Sequence, residues 1–119
     1  MDNLTAFFQV LYTNFNERKI DLVIAKMTDN VKWANGMDGG YVYGHDGVTA
    51  YWTKQFTMIS SIVTPLSIDI ENGIAKIKVH QVVHDVNGNL LADEEVYHYF
   101  LLSNNNKIDE FNIGEKGKA

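Results

Sequence analysis

Four histidines and no cysteine bound the chemistry open to this 119-residue chain. Without a thiol there is no thiolate nucleophile, no CxxC redox pair and no thiolate metal site. The sharpest candidate is His98, which alternates with Val96, Phe100 and Leu102. An imidazole lining an apolar cup can be tuned to exchange a proton near neutral pH, which makes His98 the candidate general acid/base. A buried imidazole serves as well to satisfy a backbone or tyrosine partner, and both readings stand. Trp33 and Asn35 share parity with Val31 and offer an aromatic wall and an amide that polarises a ligand carbonyl, although Trp33 reads equally as core. Gln81 alternates with Ile77, Val79 and Val83, opposite Lys76 and Lys78, so without a bulge it points with the apolar set. Burying its amide unpaired costs about 1 to 3 kcal/mol, so it calls for a ligand, a side chain or water. Tyr41, Trp52 and Asn112 complete the candidate ligand-binding set.

Other constellations carry less. His80 and His84 have the spacing that chelates a metal on a helix, but on a strand they stand ~13 Å apart, so no metal is expected. The glycines at 36, 39, 40, 44 and 47 follow no βαβ strand, and Asp38 and Asp46 would repel a phosphate. Ser60-Ser61 lies in no nucleophile elbow, Asp93-Glu94-Glu95 reads as a solvated strand edge, and the tail from Gly114 as frayed. Ten Lys+Arg against fifteen Asp+Glu leave a net charge of −5 with the basic residues scattered, which argues against nucleic acid as a partner. No run approaches the ~20 apolar residues of a membrane span. Asp2, Thr5 and Gln9 make the start unlike a signal peptide, and the cysteine-free composition fits a reducing, cytoplasmic compartment. With 45% apolar and 21% charged residues, the chain reads as one globular domain over 1–119 with one core and room for a modest cavity.

These side chains must be positioned by a small set of elements. Leu4, Phe7, Phe8, Leu11 and Phe15 recur at helical steps behind Asn3, predicting a helix over about 4–16. Ile20, Val23, Ile24 and Met27 predict a second, shorter helix, and Val31, Trp33 and Asn35 a short strand. A glycine-rich loop, 36–44, is closed by His45-Asp46 as candidate caps of a third helix, whose face is Val48, Tyr51, Trp52, Phe56 and Ile59 and which runs to about Ser60. Beyond Pro65 the period changes to two. Asn72-Gly73, Asn87-Gly88 and Asn104-Asn105-Asn106 cut the remainder into an antiparallel meander of about 66–71, 74–86, 90–102 and 107–113. Strands of about thirteen residues in so small a domain must twist and curve. The expectation is an α+β fold, three helices covering one face of a curved, mostly antiparallel sheet.

In this arrangement the sequence resembles the nuclear transport factor 2-like (NTF2-like) superfamily, the cone fold of ketosteroid isomerases and SnoaL-type polyketide cyclases. The resemblance runs through Val31 to Asn35, Gly44 to Trp52, Val79 to Asp85, Val96 to Phe100 and Lys107 to Ile113. It implies a cone with an inner cavity, a small, largely apolar ligand bearing a carbonyl or hydroxyl, and acid/base chemistry of isomerase, cyclase or dehydratase type without a cofactor. The alternative it implies is a non-catalytic ligand-binding or dimerisation module. The isomerases' base aspartate falls on Asn35, their oxyanion-hole tyrosine on Leu11, with Tyr12 turned ~100° away, and their protonated aspartate on His98. The cyclases' cavity histidine matches His98, and their acid/base aspartate falls on Asn112. On the sheet's other face His80, Val82, His84, Tyr97, Tyr99 and Leu101 form a broad semi-apolar surface, the expected homodimer interface.

Overall fold

Phe8, Leu11 and Tyr12 are buried along one stripe of α1 (Asn3–Asn16), the stripe that their three- and four-residue spacing dictates. The computed structural model describes residues 3–35 and 39–114; residues 1–2, 36–38 and 115–119 lie outside them. Arg18, at φ 63°, turns the chain out of α1. Its guanidinium donates to the Phe15 carbonyl (3.1 Å) and lies 4.3 Å from the Phe56 ring centre.

The second helix, α2 (Ile20–Ile24), is shorter than its apolar pattern predicts. Met27 was expected on it but opens strand β1 (Met27–Ala34), where the Ile108 N–H donates to the Lys26 carbonyl at 2.9 Å. Met27 is buried in either conformation, so periodicity does not decide between them; pairing with a distant strand does. β2 (Tyr41–Tyr43) pairs antiparallel with β1 and was not read from the sequence, because three residues between glycines carry too little alternation. α3 (Gly44–Gln55) follows without a side-chain cap. His45, expected as a cap, instead places Nε2 3.1 Å from the Met27 carbonyl.

α3 also ends sooner than predicted, and β3 (Ile59–Glu71) begins at Ile59 and not near 66. Pro65 marks no boundary: β3 is a sheet edge, and the register shifts between Pro65 and Ser67, so the missing N–H is accommodated. β4 (Ile74–Asp85), β5 (Leu90–Leu102) and β6 (Ile108–Ile113) complete a six-stranded sheet ordered β2-β1-β6-β5-β4-β3, parallel only between β1 and β6. Asn72 and Gly73, at φ 56° and 79°, make the turn their types demand. At Asn87-Gly88 only the glycine has positive φ, and the turn is held by the Asp85 carboxylate, which accepts from the Asn87 and Asn89 N–H groups at 2.8 and 3.0 Å. α1 packs on β3, and α3 on β1. Between helices and sheet runs a contiguous set of aromatic rings, Phe8 against Phe100, Phe100 against Phe111, Phe111 stacked on Trp33 at 4.1 Å, and Trp33 against Trp52.

Candidate functional site

The inward face of the curved sheet does not close on the helices along its whole length. A cavity of about 810 Å³ remains, of the size that takes a drug-sized molecule. Leu11, Tyr12 and Phe15 of α1, Tyr51, Trp52 and Gln55 of α3, and alternate residues of β3, β4 and β5 line it. Trp33 and Phe111 enter from the parallel pair, where they stand side by side in register.

His98 projects into this cavity, with 7% of its surface exposed. Its Nδ1 lies 2.8 Å from the Tyr12 hydroxyl, across 86 residues of sequence, and the two rings are nearly parallel. Burial pushes the imidazole down to about 3 and the Tyr12 phenol well above its ordinary value, so both are neutral at neutral pH. No buried side-chain nitrogen or oxygen among the described residues lacks a partner, and Nε2 of His98 makes no hydrogen bond; it therefore opens on the cavity. If Tyr12 donates to Nδ1, Nε2 carries the hydrogen and donates inward. If Nδ1 donates to Tyr12, Nε2 accepts. In both tautomers the free ring nitrogen can hydrogen-bond one ligand oxygen without an ion, a carbonyl or hydroxyl when it donates and a hydroxyl when it accepts.

Of the other candidates, Trp33, Trp52 and Gln81 line the cavity. Gln81 sits opposite Val63 on β3 and Glu94 on β5, and both neighbours line the cavity too. Tyr41 and Asn112 do not; they meet each other on the opposite face of the sheet, where the Tyr41 hydroxyl donates to Asn112 Oδ1 and Asn112 Nδ2 donates to Glu110 at 2.8 Å. The cause is parity: Phe111 points inward, so Asn112, opposite Tyr99, points out. Asn35 is also outside the lining. β1 ends at Ala34, and the Asn35 backbone is taken up by the turn to Gly39 and Gly40, at 3.0 and 2.9 Å. His80 pairs with Asp93 at 2.6 Å on the outer face, and among the described residues no three His, Cys, Asp or Glu side chains converge as a metal site.

Sequence reasoning missed Tyr12, Ser61, Gln55 and Glu94. Tyr12 had a signal, its i+4 relation to Phe8 on the apolar stripe. Ser61 becomes legible only once the start of β3 is known; Glu94 shares the parity of Val96 and His98 but sits in a run of three carboxylates whose outer members mask it. Gln55, at the end of α3, donates to the Tyr51 hydroxyl at 2.9 Å.

No protein-family model and no curated protein matches the chain by sequence. Solved structures do resemble it. An NTF2-like protein of unknown function from Burkholderia pseudomallei superposes with a TM-score of 0.84 at 24% identity, over 95% of this chain and 90% of that one. A putative polyketide cyclase from Xanthomonas campestris gives 0.74 at 17% identity, over 92% and 87%. A Mycobacterium tuberculosis protein in complex with estradiol-17beta-hemisuccinate gives 0.77 at 13% identity, over 92% and 90%. With a curved, mostly antiparallel sheet and helices packed on its inner side, this chain has the NTF2-like cone fold.

Proposed function

We propose that the protein binds a small, largely apolar molecule bearing a carbonyl or hydroxyl, held by the Tyr12–His98 pair at the inner end of the cavity. One observation carries this reading: Nδ1 of a buried, neutral His98 is tied to Tyr12 while Nε2 opens on an apolar cavity of about 810 Å³. Structural neighbours support it, among them the Mycobacterium tuberculosis protein in complex with estradiol-17beta-hemisuccinate and a computationally designed 17-OHP binder of the same fold. Trp33 and Trp52 wall the ligand, with Gln81 farther along the same lining; Asn35, Tyr41 and Asn112 are not among the lining residues. No cofactor is needed, and the cysteine-free composition suits a cytoplasmic setting.

Cofactor-free isomerase, cyclase or dehydratase chemistry, with His98 as acid/base, is the narrower reading. It is the weaker one, because an imidazole pushed to about 3 is a poor base at neutral pH and its hydrogen-bond partner is a phenol, not a carboxylate. The test uses the two lining tryptophans as reporters. Titration with a panel of aryl ketones and phenols should quench their emission with micromolar Kd. His98→Leu should weaken the carbonyl compounds about tenfold and leave their hydrocarbon analogues unchanged. A panel without binders, or equal loss for both classes, overturns the reading; turnover of any binder that disappears in His98→Leu would favour the enzyme.

The homodimer belongs to the same proposal. The outer face carries Lys32, Lys76 and Lys78 beside Asp93, Glu95 and Glu110, flanking Tyr97 and Tyr99, so a two-fold copy can set each sign over the other.

A further inference from the structure

Register orders the cavity floor into cross-strand rungs of alternating character. Ile77 pairs with His98, Val79 with Val96, Gln81 with Glu94 and Val83 with Ala92. His98, Val96, Glu94 and Ala92 all line the cavity, as do Gln81 and Val83, so polar, apolar, polar and apolar rungs succeed one another along one wall. The valine rung between the polar ones is fully closed, Val79 at 0% and Val96 at 4% exposed. His98 and Glu94 lie four residues apart on β5, a separation of about 13 Å along the strand. Beside the second polar rung, Ser61 of β3 faces Val83, is 6% exposed and lines the cavity. Gln81 and Glu94 are half-buried and Leu91 beyond them is 56% exposed, which sets this rung toward the mouth.

From this spacing we infer that the cavity selects an elongated ligand with oxygen functions at both ends of a rigid apolar body: a carbonyl or hydroxyl on Tyr12–His98 and a hydroxyl on Gln81, Glu94 and Ser61. The inference rests on the binding reading above and adds to it the ligand's length and its second polar end. A terminal hydroxyl suits the outer rung on both counts, donating to the Glu94 carboxylate and accepting from the Gln81 amide. A carboxylate there faces Glu94 and is disfavoured. The apolar middle rung excludes a polar group at mid-length, where it would lose its water without gaining a partner.

Three probes separate the outcomes. The first is a biphenyl carrying an aldehyde and a hydroxyl at its two para ends, the second the same biphenyl aldehyde without the hydroxyl, the third para-hydroxybenzaldehyde, with both groups but one ring fewer. Followed by tryptophan quenching and calorimetry, the first should bind about tenfold more tightly than the second and more tightly still than the third. Gln81→Leu and Glu94→Gln should each shrink the hydroxyl preference several-fold without weakening the second probe, with thermal unfolding confirming that both variants fold. Equal binding of the first two probes, or a hydroxyl preference that survives both substitutions, overturns the second pole and leaves the single-pole reading standing. If no probe binds, the cavity reading falls and takes this inference with it.

Discussion

At the scale of single residues the buried Tyr12–His98 contact sets a testable stability and carries the proposed binding. Tyr12→Phe removes one oxygen but leaves Nδ1 of His98 buried without its partner, so it should cost about 1 to 3 kcal/mol in denaturant unfolding, well beyond an ordinary surface change. The same burial predicts a pH dependence. His98 titrates at about 3 in the folded chain against an ordinary 6.5, so on acidification the unfolded chain takes up this proton first. Its contribution is therefore constant above about pH 6.5, falls by about 1.4 kcal/mol per pH unit as pH drops toward 3, and levels off below that. Carboxylates add their own acid dependence, which is removed by comparing the unsubstituted chain with His98→Gln. The difference in slope between pH 6 and 4 should approach one proton, and parallel curves would contradict the burial of a neutral imidazole. His98 was legible in the sequence because strand parity needs only its neighbours Val96 and Phe100. Tyr12 was missed despite its i+4 step from Phe8, because placing Leu11 at the cavity treated the next residue as turned away, whereas a cup that curves around α1 is lined by both.

At the scale of elements, the side chain of Asn16 acts as a piece of strand. Its Nδ2 donates to the Val63 carbonyl at 2.8 Å and its Oδ1 accepts from the Val63 N–H at 2.9 Å, so the last residue of α1 is bonded to the edge strand β3. Asn16→Ala leaves two half-buried backbone groups without these partners and should lower stability by about 2 kcal/mol, while Asn14→Ala, two residues earlier on the helix, should cost little. Because α1 carries Tyr12 and β3 carries Ser61 and Val63, Asn16→Ala should also weaken ligand binding, a loss that native-state hydrogen exchange would trace to the opening of α1 against β3. Much of the element pattern could be read beforehand: α1, β4, β5 and β6 have unbroken periodicity and clear turn residues. What could not be read has a common cause. Met27 and residues 59–65 are strand because of partners distant in sequence, Ile108 and the β4 segment around Val83, and the three residues of β2 because they fold back on Trp33; local propensity cannot see such pairing.

At the scale of the whole molecule the two faces of the sheet obey different rules. The inner face is apolar with two polar rungs, and the outer face is stitched by in-plane pairs, Lys78 to Glu95 at 3.1 Å and His80 to Asp93 at 2.6 Å, with Lys76 over the Tyr97 ring and Lys32 over Tyr41. Exposed pairs of this kind contribute little to the stability of one chain. Their placement matters for assembly, since charges already spread over both signs can exchange partners across a two-fold axis while Tyr97 and Tyr99 supply apolar contact at its centre. A dimer built this way predicts sedimentation as a two-chain species at tens of micromolar and dissociation on raising salt, because opposed surface charges are screened within about 10 Å at 0.1 M and 3 Å at 1 M. Tyr99→Glu places a charge at that centre and should yield a monomer that still binds the inner-cavity ligand, since Tyr99 faces away from His98 along β5. A monomer at every salt concentration would leave the outer face as a solvated wall; a dimer that survives Tyr99→Glu would place the contact elsewhere on the molecule. Either result leaves the cavity untouched, because one sheet separates the two surfaces and alternate residues of β4 and β5 serve only one of them.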